Sequence, residues 1–155
     1  ASCPADVEAL LAALSGWADR RSCGDAWFYA VDPATDAQLE LHWDLNNVDV
    51  QPNNSWYAAF DIDTKDEVGG SLAFERGSNV ADASCDDALE GPMIVDERWQ
   101  AVAGSASIEA TAVNQWGWTG DVTLSGVELR LGAAGPTCPL PDASWTGLSF
   151  GWLPG

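Results

Sequence analysis

Apolar residues recur at helical spacing near the start of the chain. Pro4 suits a first helical position, and Arg20 and Arg21 suit the C-terminal end of the helix dipole. The pattern predicts one amphipathic helix within residues 1–22 that packs its apolar face on the rest of the protein. That face comprises Val7, Leu10, Leu11, Leu14 and Trp17.

From Gly24 onward the apolar positions alternate with polar ones, which is typical of half-buried strands. Turn signals separate seven or eight such segments, so we expect a mainly β fold in one domain, 1–155. An antiparallel β-sandwich over 23–155, Ig-like or jelly-roll-like, fits this spacing best, and a barrel is the alternative. The segments are Trp27–Val31, Leu39–Leu45, Trp56–Ile62, Leu72–Phe74, Trp99–Val102, Ala106–Ala112, Val122–Leu131 and Leu148–Trp152.

Two glycines and a tryptophan pair interrupt this pattern in the second half of the chain. Gly104 shifts the phase of alternation, and Gly126 is predicted to mark a β-bulge that absorbs one extra residue. The run Gln115–Gly120 is predicted to be a hairpin tip that carries Trp116 and Trp118. Tryptophans at a tip can contact a sugar or a protein partner, or they can fold back over the end of the sandwich.

The charge balance is strongly acidic, with 24 Asp and Glu against 6 Lys and Arg and a net charge of −18. Nucleic acids are therefore excluded as partners, because phosphate binding needs patches of Lys and Arg. No apolar run reaches the length of a membrane span. Basic proteins and divalent cations remain as partners, and solubility is the simplest reason for so much negative charge.

The four cysteines are widely spaced and form no metal, haem or redox motif. An even number of unclustered cysteines indicates two disulfides and an oxidising compartment. Three pairings exist, and a helix reaching Arg20 would hold Cys3 and Cys23 about 24 Å apart. They pair only if the helix stops near Gly16 and the chain doubles back. We therefore expect Cys23–Cys85 and Cys3–Cys138.

Catalytic constellations are weak. His42 is the only histidine, and the chain contains no GxSxG motif that would place a serine nucleophile beside it. Glu109 and Glu128 are predicted to lie on neighbouring strands, where a glycosidase of the jelly-roll type would carry two carboxylates about 5–9 Å apart. A solvated sheet face explains both residues equally well, so we expect a protein that is not an enzyme.

Two acidic clusters are candidates for calcium, the one cofactor that the sequence suggests. The first is Asp61, Asp63 and Asp66 at a strand end, where Lys65 also balances the charge. The second is a loop cluster. Calcium takes 6–8 oxygen ligands, often from such turns, although the spacing is not that of an EF-hand. The loop cluster consists of Asp82, Asp86 and Asp87.

Several short runs resemble a group of secreted β-domain proteins of myxobacterial type that have no assigned activity. The resemblance covers about two thirds of the chain, from Cys23 to the end, and leaves out the N-terminal helix. It implies a secreted β domain without catalytic residues. The runs that carry it are Cys23–Asp32, Cys85–Leu89, Trp99–Ala106 and Gly151–Gly155.

These observations favour a secreted protein, which is extracellular, periplasmic or held at the outer surface. The chain starts without a basic segment or apolar stretch of the signal-peptide kind, so we expect a mature form. The leading hypothesis is a non-catalytic structural or protein-interaction domain, such as a subunit of an extracellular filament. The partner would be another copy or another extracellular protein. The alternative is a carbohydrate- or calcium-binding module.

Overall fold

The computed structural model describes residues 2–16, 20–23, 26–43, 50–61, 70–80, 92–114 and 117–151, with the backbone alone for 20–23, 60 and 61. It is mainly β, as predicted, with one short helix at the N-terminus. The elements are α1 (Ala5–Leu14), β1 (Arg20–Cys23), β2 (Trp27–Asp32), β3 (Ala37–Trp43), β4 (Ser55–Asp61), β5 (Gly70–Ser78), β6 (Ile94–Asn114), β7 (Gly117–Leu131), β8 (Thr137–Pro139) and β9 (Ala143–Gly151).

The helix is shorter than its sequence pattern suggests. It ends at Leu14, and the Ser15 hydroxyl donates to the carbonyl of Ala12 at 2.8 Å. The indole N–H of Trp145 donates to the carbonyl of Ser15 at 2.8 Å, which gives a helix-end acceptor a partner from the sheet. The expectation that Arg20 and Arg21 close the helix was wrong, because both lie in β1.

The helix is fixed to the sheet by packing and by a disulfide. Val7, Leu11 and Leu14 are buried against the common core, and α1 contacts β2, β3 and β8. Cys3, just before the helix, is bonded to Cys138 in β8, which confirms that predicted pairing. A crosslink across 135 positions strongly restricts the unfolded chain. The other predicted disulfide, Cys23–Cys85, stays a prediction, because Cys85 and the side chain of Cys23 lie outside the described residues.

All strands are antiparallel and belong to one sheet. Its main path runs β1-β2-β3-β5-β6-β7-β8, while β4 pairs with β6 and β9 pairs with β7. The strands β1 and β9, which belong to different branches, also contact each other. This contact brings the sheet close to closure into a barrel. Among the described residues, no helix is both long and apolar enough to cross a membrane.

The hairpin of β6 and β7 is shared by both branches of the sheet. The first part of β6 pairs with β5, and its second part pairs with β4. In the same way, the first part of β7 pairs with β9 and its last part with β8. One long ribbon therefore supplies strands to two halves of the fold, which requires it to bend between them.

The bend lies where Gly104 of β6 meets Gly126 of β7. The register shifts on both sides of Ala103, so that two residues of β6, Val102 and Gly104, and two of β7, Gly126 and Val127, have no direct partner. Gly104 and Gly126 both have positive φ, of 102° and 62°. The β-bulge predicted at Gly126 is confirmed, and it bends the strand as bulges do. The sequence pattern, however, predicts two strands in place of β6, because the irregularity at Gly104 changes which alternate residues are apolar.

The core is continuous beneath the bend. The inward residues of both halves form one apolar cluster, and Trp43, Trp56 and Trp99 belong to it as their spacing predicted. Trp145, which the pattern missed, is also buried, whereas Trp152 lies outside the described residues. A series of edge-to-face contacts crosses this core at centroid distances of 5.1–6.0 Å, through Trp118, Trp56, Phe150, Phe28 and Trp43.

Replacing Gly104 by alanine should destabilise the protein far more than replacing Gly126. A Cβ on Gly104 would lie 2.6 Å from the Cα of Val127, whereas one on Gly126 meets nothing within 4 Å. We expect Gly104→Ala to lower the free energy of unfolding by at least about 3 kcal/mol, and Gly126→Ala by about 1–2 kcal/mol from its left-handed φ alone. Urea denaturation of both variants measures the difference, and equal losses would contradict the close approach at the bend.

Candidate functional site

An open groove of about 580 Å³ lies beside the β6–β7 turn, at the end of the sheet. Its lining combines an aromatic ring, aliphatic side chains and two carboxamides. None of these lining residues is ionisable, although the chain carries a net charge of −18. The lining residues are Val50, Asn54, Ala112, Val113, Asn114 and Trp118.

Trp118 is the largest side chain in this groove. It is half-buried, and its ring meets that of the buried Trp56 edge-on at a centroid distance of 6.0 Å and an angle of 71°. Phe150 supports Trp56 from another side at 5.9 Å. The hairpin tip is tighter than predicted, because β7 begins at Gly117 and places Trp118 inside the strand. Trp116 lies outside the described residues.

A second cluster of polar groups lies on the outer face of β3, β5 and β6. Glu75 is only 5% exposed there, which is unusual for an acidic residue. Gln38 donates to its Oε1 at 3.0 Å, and Arg98 donates to its Oε2 at 2.7 Å. The register explains the contacts, since Glu75 lies directly opposite Gln38 on β3 and Arg98 on β6. Both carboxylate oxygens are thus satisfied.

Glu40 lies diagonally across from Glu75 on the same face and shares a hydrogen bond with it. Burial, and next the charge of Glu75, raise the pKa of Glu40 to about 7. Burial and the same two acids raise the pKa of Tyr29, which pairs with Glu40 in the register, to about 12.

His42 lies on this face beside Glu40, as the alternation predicted, and its ring stacks on that of Trp27 at 3.7 Å. Asp44, the other predicted neighbour, is outside the described residues. The cluster therefore has charged, aromatic and proton-sharing groups.

The predicted carboxylate pair of Glu109 and Glu128 is wrong. Asp121 is the register partner of Glu109, while Glu128 lies beyond the bend of β7, beside Ala103. At about 3.3 Å per residue their positions differ by on the order of 20 Å, which is too far for the two carboxylates of a glycosidase. The two acids that do come together, Glu40 and Glu75, are in direct contact.

The calcium candidates fall almost entirely outside the described residues. Asp61 ends β4, with its backbone alone described, and the other five are not covered by the structure. Within the described part of the chain, no group of three or more His, Cys, Asp or Glu residues is arranged to hold a metal ion. The five are Asp63, Asp66, Asp82, Asp86 and Asp87.

A third feature is the exposed surface of β4. Among the described residues this strand pairs with β6 only, and no described strand lies along its other edge. Tyr57 on β4 is 65% exposed and Val113 on β6 is 66% exposed. By the register and the strand alternation, both side chains lie on the outer face of the same pair of strands.

Comparison with known proteins gives no relative. No protein-family model matches the chain, and neither a curated protein nor a solved structure is significantly similar to it. The resemblance to secreted proteins of myxobacterial type therefore stays a prediction. Function must be inferred from the groove, the polar cluster and the strand edge alone.

Sequence reasoning missed the polar cluster and most of the groove. Glu40 and Glu75 are separated along the chain, and only the register of β3 and β5 brings them together. The sequence offered one sign of this cluster, since Glu40 and Glu75 are acidic residues next to apolar ones within their strands. Asn54 lies in a turn before β4, where its left-handed φ of 58° is a conformation that asparagine tolerates.

Removing Arg98 should leave the buried carboxylate of Glu75 without its cation. We expect Arg98→Ala to lower the free energy of unfolding by about 2 kcal/mol, less than for a fully buried pair because Arg98 is partly exposed. Arg130→Ala is the matched control, since Arg130 contacts a turn carbonyl and no acid; we expect a change within about 0.5 kcal/mol. Chemical denaturation at pH 7 measures both, and equal effects would contradict the proposed role of Arg98.

The raised pKa of Glu40 predicts that its contribution to stability falls as pH rises. Because its pKa is raised from 4.5 to about 7 in the folded protein, its contribution is complete below pH 4.5 and is lost as pH rises to 7. Glu40→Gln keeps a donor toward Glu75 without an ionisable proton. We expect it to be more stable than the parent by about 1–2 kcal/mol at pH 8, discounted for partial exposure, and nearly equal at pH 4.

The control is Glu109→Gln, which removes one exposed carboxylate from the same sheet. Thermal unfolding of the three proteins between pH 4 and pH 8 supplies the measurement. A stability difference between Glu40→Gln and the parent that is independent of pH would show that folding does not shift the pKa of Glu40.

Proposed function

We propose that the chain is a non-catalytic extracellular domain that assembles with other copies of itself through the edge of β4 that faces away from β6. The observation that carries this proposal is the scarcity of charge along that strand. Ser55–Phe60 contains neither a charged residue nor a proline, and only the last residue of β4, Asp61, is charged, in a chain with a net charge of −18. Natural proteins usually protect an exposed strand edge with such residues.

Two other outer strands, β1 and β8, differ from β4 in this respect, while β9 is uncharged like β4 but contacts β1. Arg20 and Arg21 place two charges in the four residues of β1. The strand β8 has only three residues and ends in Pro139, which cannot donate to a neighbouring strand. The strands β1 and β8 are protected against pairing with another chain, whereas β4 is not. Selection for one defined contact would produce this difference.

The outer face beside the edge supports the same contact. Tyr57 and Val113 expose large apolar areas there, and aromatic residues are enriched in protein interfaces. If two β4 strands paired symmetrically, the outer faces of the two copies would form one continuous surface with twice this apolar area. Main-chain hydrogen bonds would supply affinity, and Tyr57 would supply specificity.

Secretion is part of this proposal. The Cys3–Cys138 disulfide supports an oxidising setting such as the extracellular space, the periplasm or the outer surface. The sandwich predicted from the sequence is also kept as a proposal. It is supported by the two halves of the β6–β7 ribbon, whose inner faces contribute to one core.

Sedimentation velocity at low and high salt tests the proposed assembly. Because each copy carries a charge of −18, repulsion should keep the protein monomeric at 20 mM NaCl. At 500 mM NaCl screening should allow dimers or longer oligomers to form as the protein concentration rises.

Ala59→Lys, on the exposed face of β4, should abolish this association, whereas Ala133→Lys, in an exposed turn, should leave it intact. Both variants lower the net negative charge equally, so a loss confined to Ala59→Lys reports on the edge itself. Monomers at every salt and protein concentration, or equal association of the two variants, would refute assembly through β4.

A further inference from the structure

We propose that the groove beside Trp118 is a binding site for uncharged carbohydrate, such as a segment of a neutral hexose or pentose polysaccharide. This goes beyond assembly through β4. The groove combines the indole ring of Trp118, carboxamide side chains, a described lining without charge and a volume that suits sugar units.

The ring of Trp118 is held in one orientation at the groove. Trp56 contacts it edge-on at 6.0 Å, and Trp56 is itself 2% exposed and in contact with Phe150. A sugar ring carries C–H groups on its faces, and these pack on the flat apolar surface of an indole. Since Trp118 is already positioned by core residues, little side-chain entropy would be lost when a ligand binds.

Two carboxamides stand in the same lining as the indole. The carboxamide of Asn54 has both donor and acceptor groups, which is the combination that sugar hydroxyls require, and Asn114, which already has an interaction within the protein, is the second polar residue of the lining. The position of Asn54 is fixed by its backbone, whose N–H donates to Gln51 and whose carbonyl accepts from Ala112, both at 2.9 Å. The groove thus offers polar groups on an ordered frame.

The charge of the lining selects the class of ligand. Acidic residues are abundant in this protein, yet the six described residues that line the groove are all uncharged. These residues offer no ionic partner to a cationic or anionic ligand. An uncharged ligand with many hydroxyls needs none.

The size and shape of the groove suit part of a chain. A volume of about 580 Å³ lies within the usual range for small-molecule sites and accommodates one or two sugar units. The aliphatic side chains of Val50 and Val113 form part of the wall. Because the groove is open, a longer chain need not fit inside it completely.

Isothermal titration calorimetry at 20 mM NaCl, where self-association is suppressed, tests the proposal with defined hexasaccharides. The probes are cellohexaose, xylohexaose, mannohexaose and maltohexaose as neutral chains, with a galacturonic acid hexamer and a glucosamine hexamer as anionic and cationic controls. We expect at least one neutral chain to bind at least tenfold more tightly than both charged ones.

Trp118→Ala should weaken that binding at least tenfold, and Trp118→Phe should retain part of it because a ring remains. Tyr57→Ala is the matched control, since it removes an exposed aromatic residue that is not in the groove lining, and it should change the affinity less than threefold. If Trp118→Ala fails to fold, Asn54→Asp replaces it, and the added charge at the rim should weaken binding of the neutral chain.

Failure of all four neutral chains to bind would overturn the proposal. So would affinities for the charged hexamers equal to those of the neutral chains, or unchanged affinity in Trp118→Ala. Since these titrations use the monomer, their outcome is independent of assembly through β4.

Discussion

The close approach of Gly104 to the backbone of Gly126 and Val127 is the constraint on which the fold depends. A Cβ at Gly104 would lie 2.6–2.7 Å from three backbone atoms of the facing strand, so that contact is open only to glycine. At this point the β6–β7 ribbon bends and passes from one half of the sheet to the other. Every other strand except β1, β2 and β3 pairs directly with the ribbon, and these three follow through β5.

The features proposed to be functional are arranged along the ribbon. Its turn end holds Trp118 and Asn114 in the groove, the second part of β6 supports β4, and the first part carries Arg98 toward Glu75. A single bend therefore determines where the groove, the strand edge and the polar cluster lie. The disulfide between Cys3 and Cys138 fixes the helix to β8, which pairs with the last part of the ribbon.

Local patterns in the sequence predicted those features that depend on neighbours along the chain. Alternation identified the main strands, and the spacing of Val7, Leu11 and Leu14 identified the buried side of the helix. The helix end was misjudged because its stop after Leu14 is stabilised by a distant residue, Trp145, which donates to the carbonyl of Ser15. Long-range pairing was beyond such patterns: Glu40 and Glu75 meet only through register, and Asn54 reaches Trp118 only after β4 pairs with β6.

Native-state hydrogen exchange along β6 and β7 tests the shared ribbon most directly. If both halves depend on one bent hairpin, the buried positions Trp99 and Ala101 before the bend and Ala106, Ile108 and Ala110 after it should open together. Their amides would then share one free energy of opening, close to that of global unfolding. Two separate groups, in which the β4–β9 side opens at a much lower free energy than the β5–β8 side, would contradict this account.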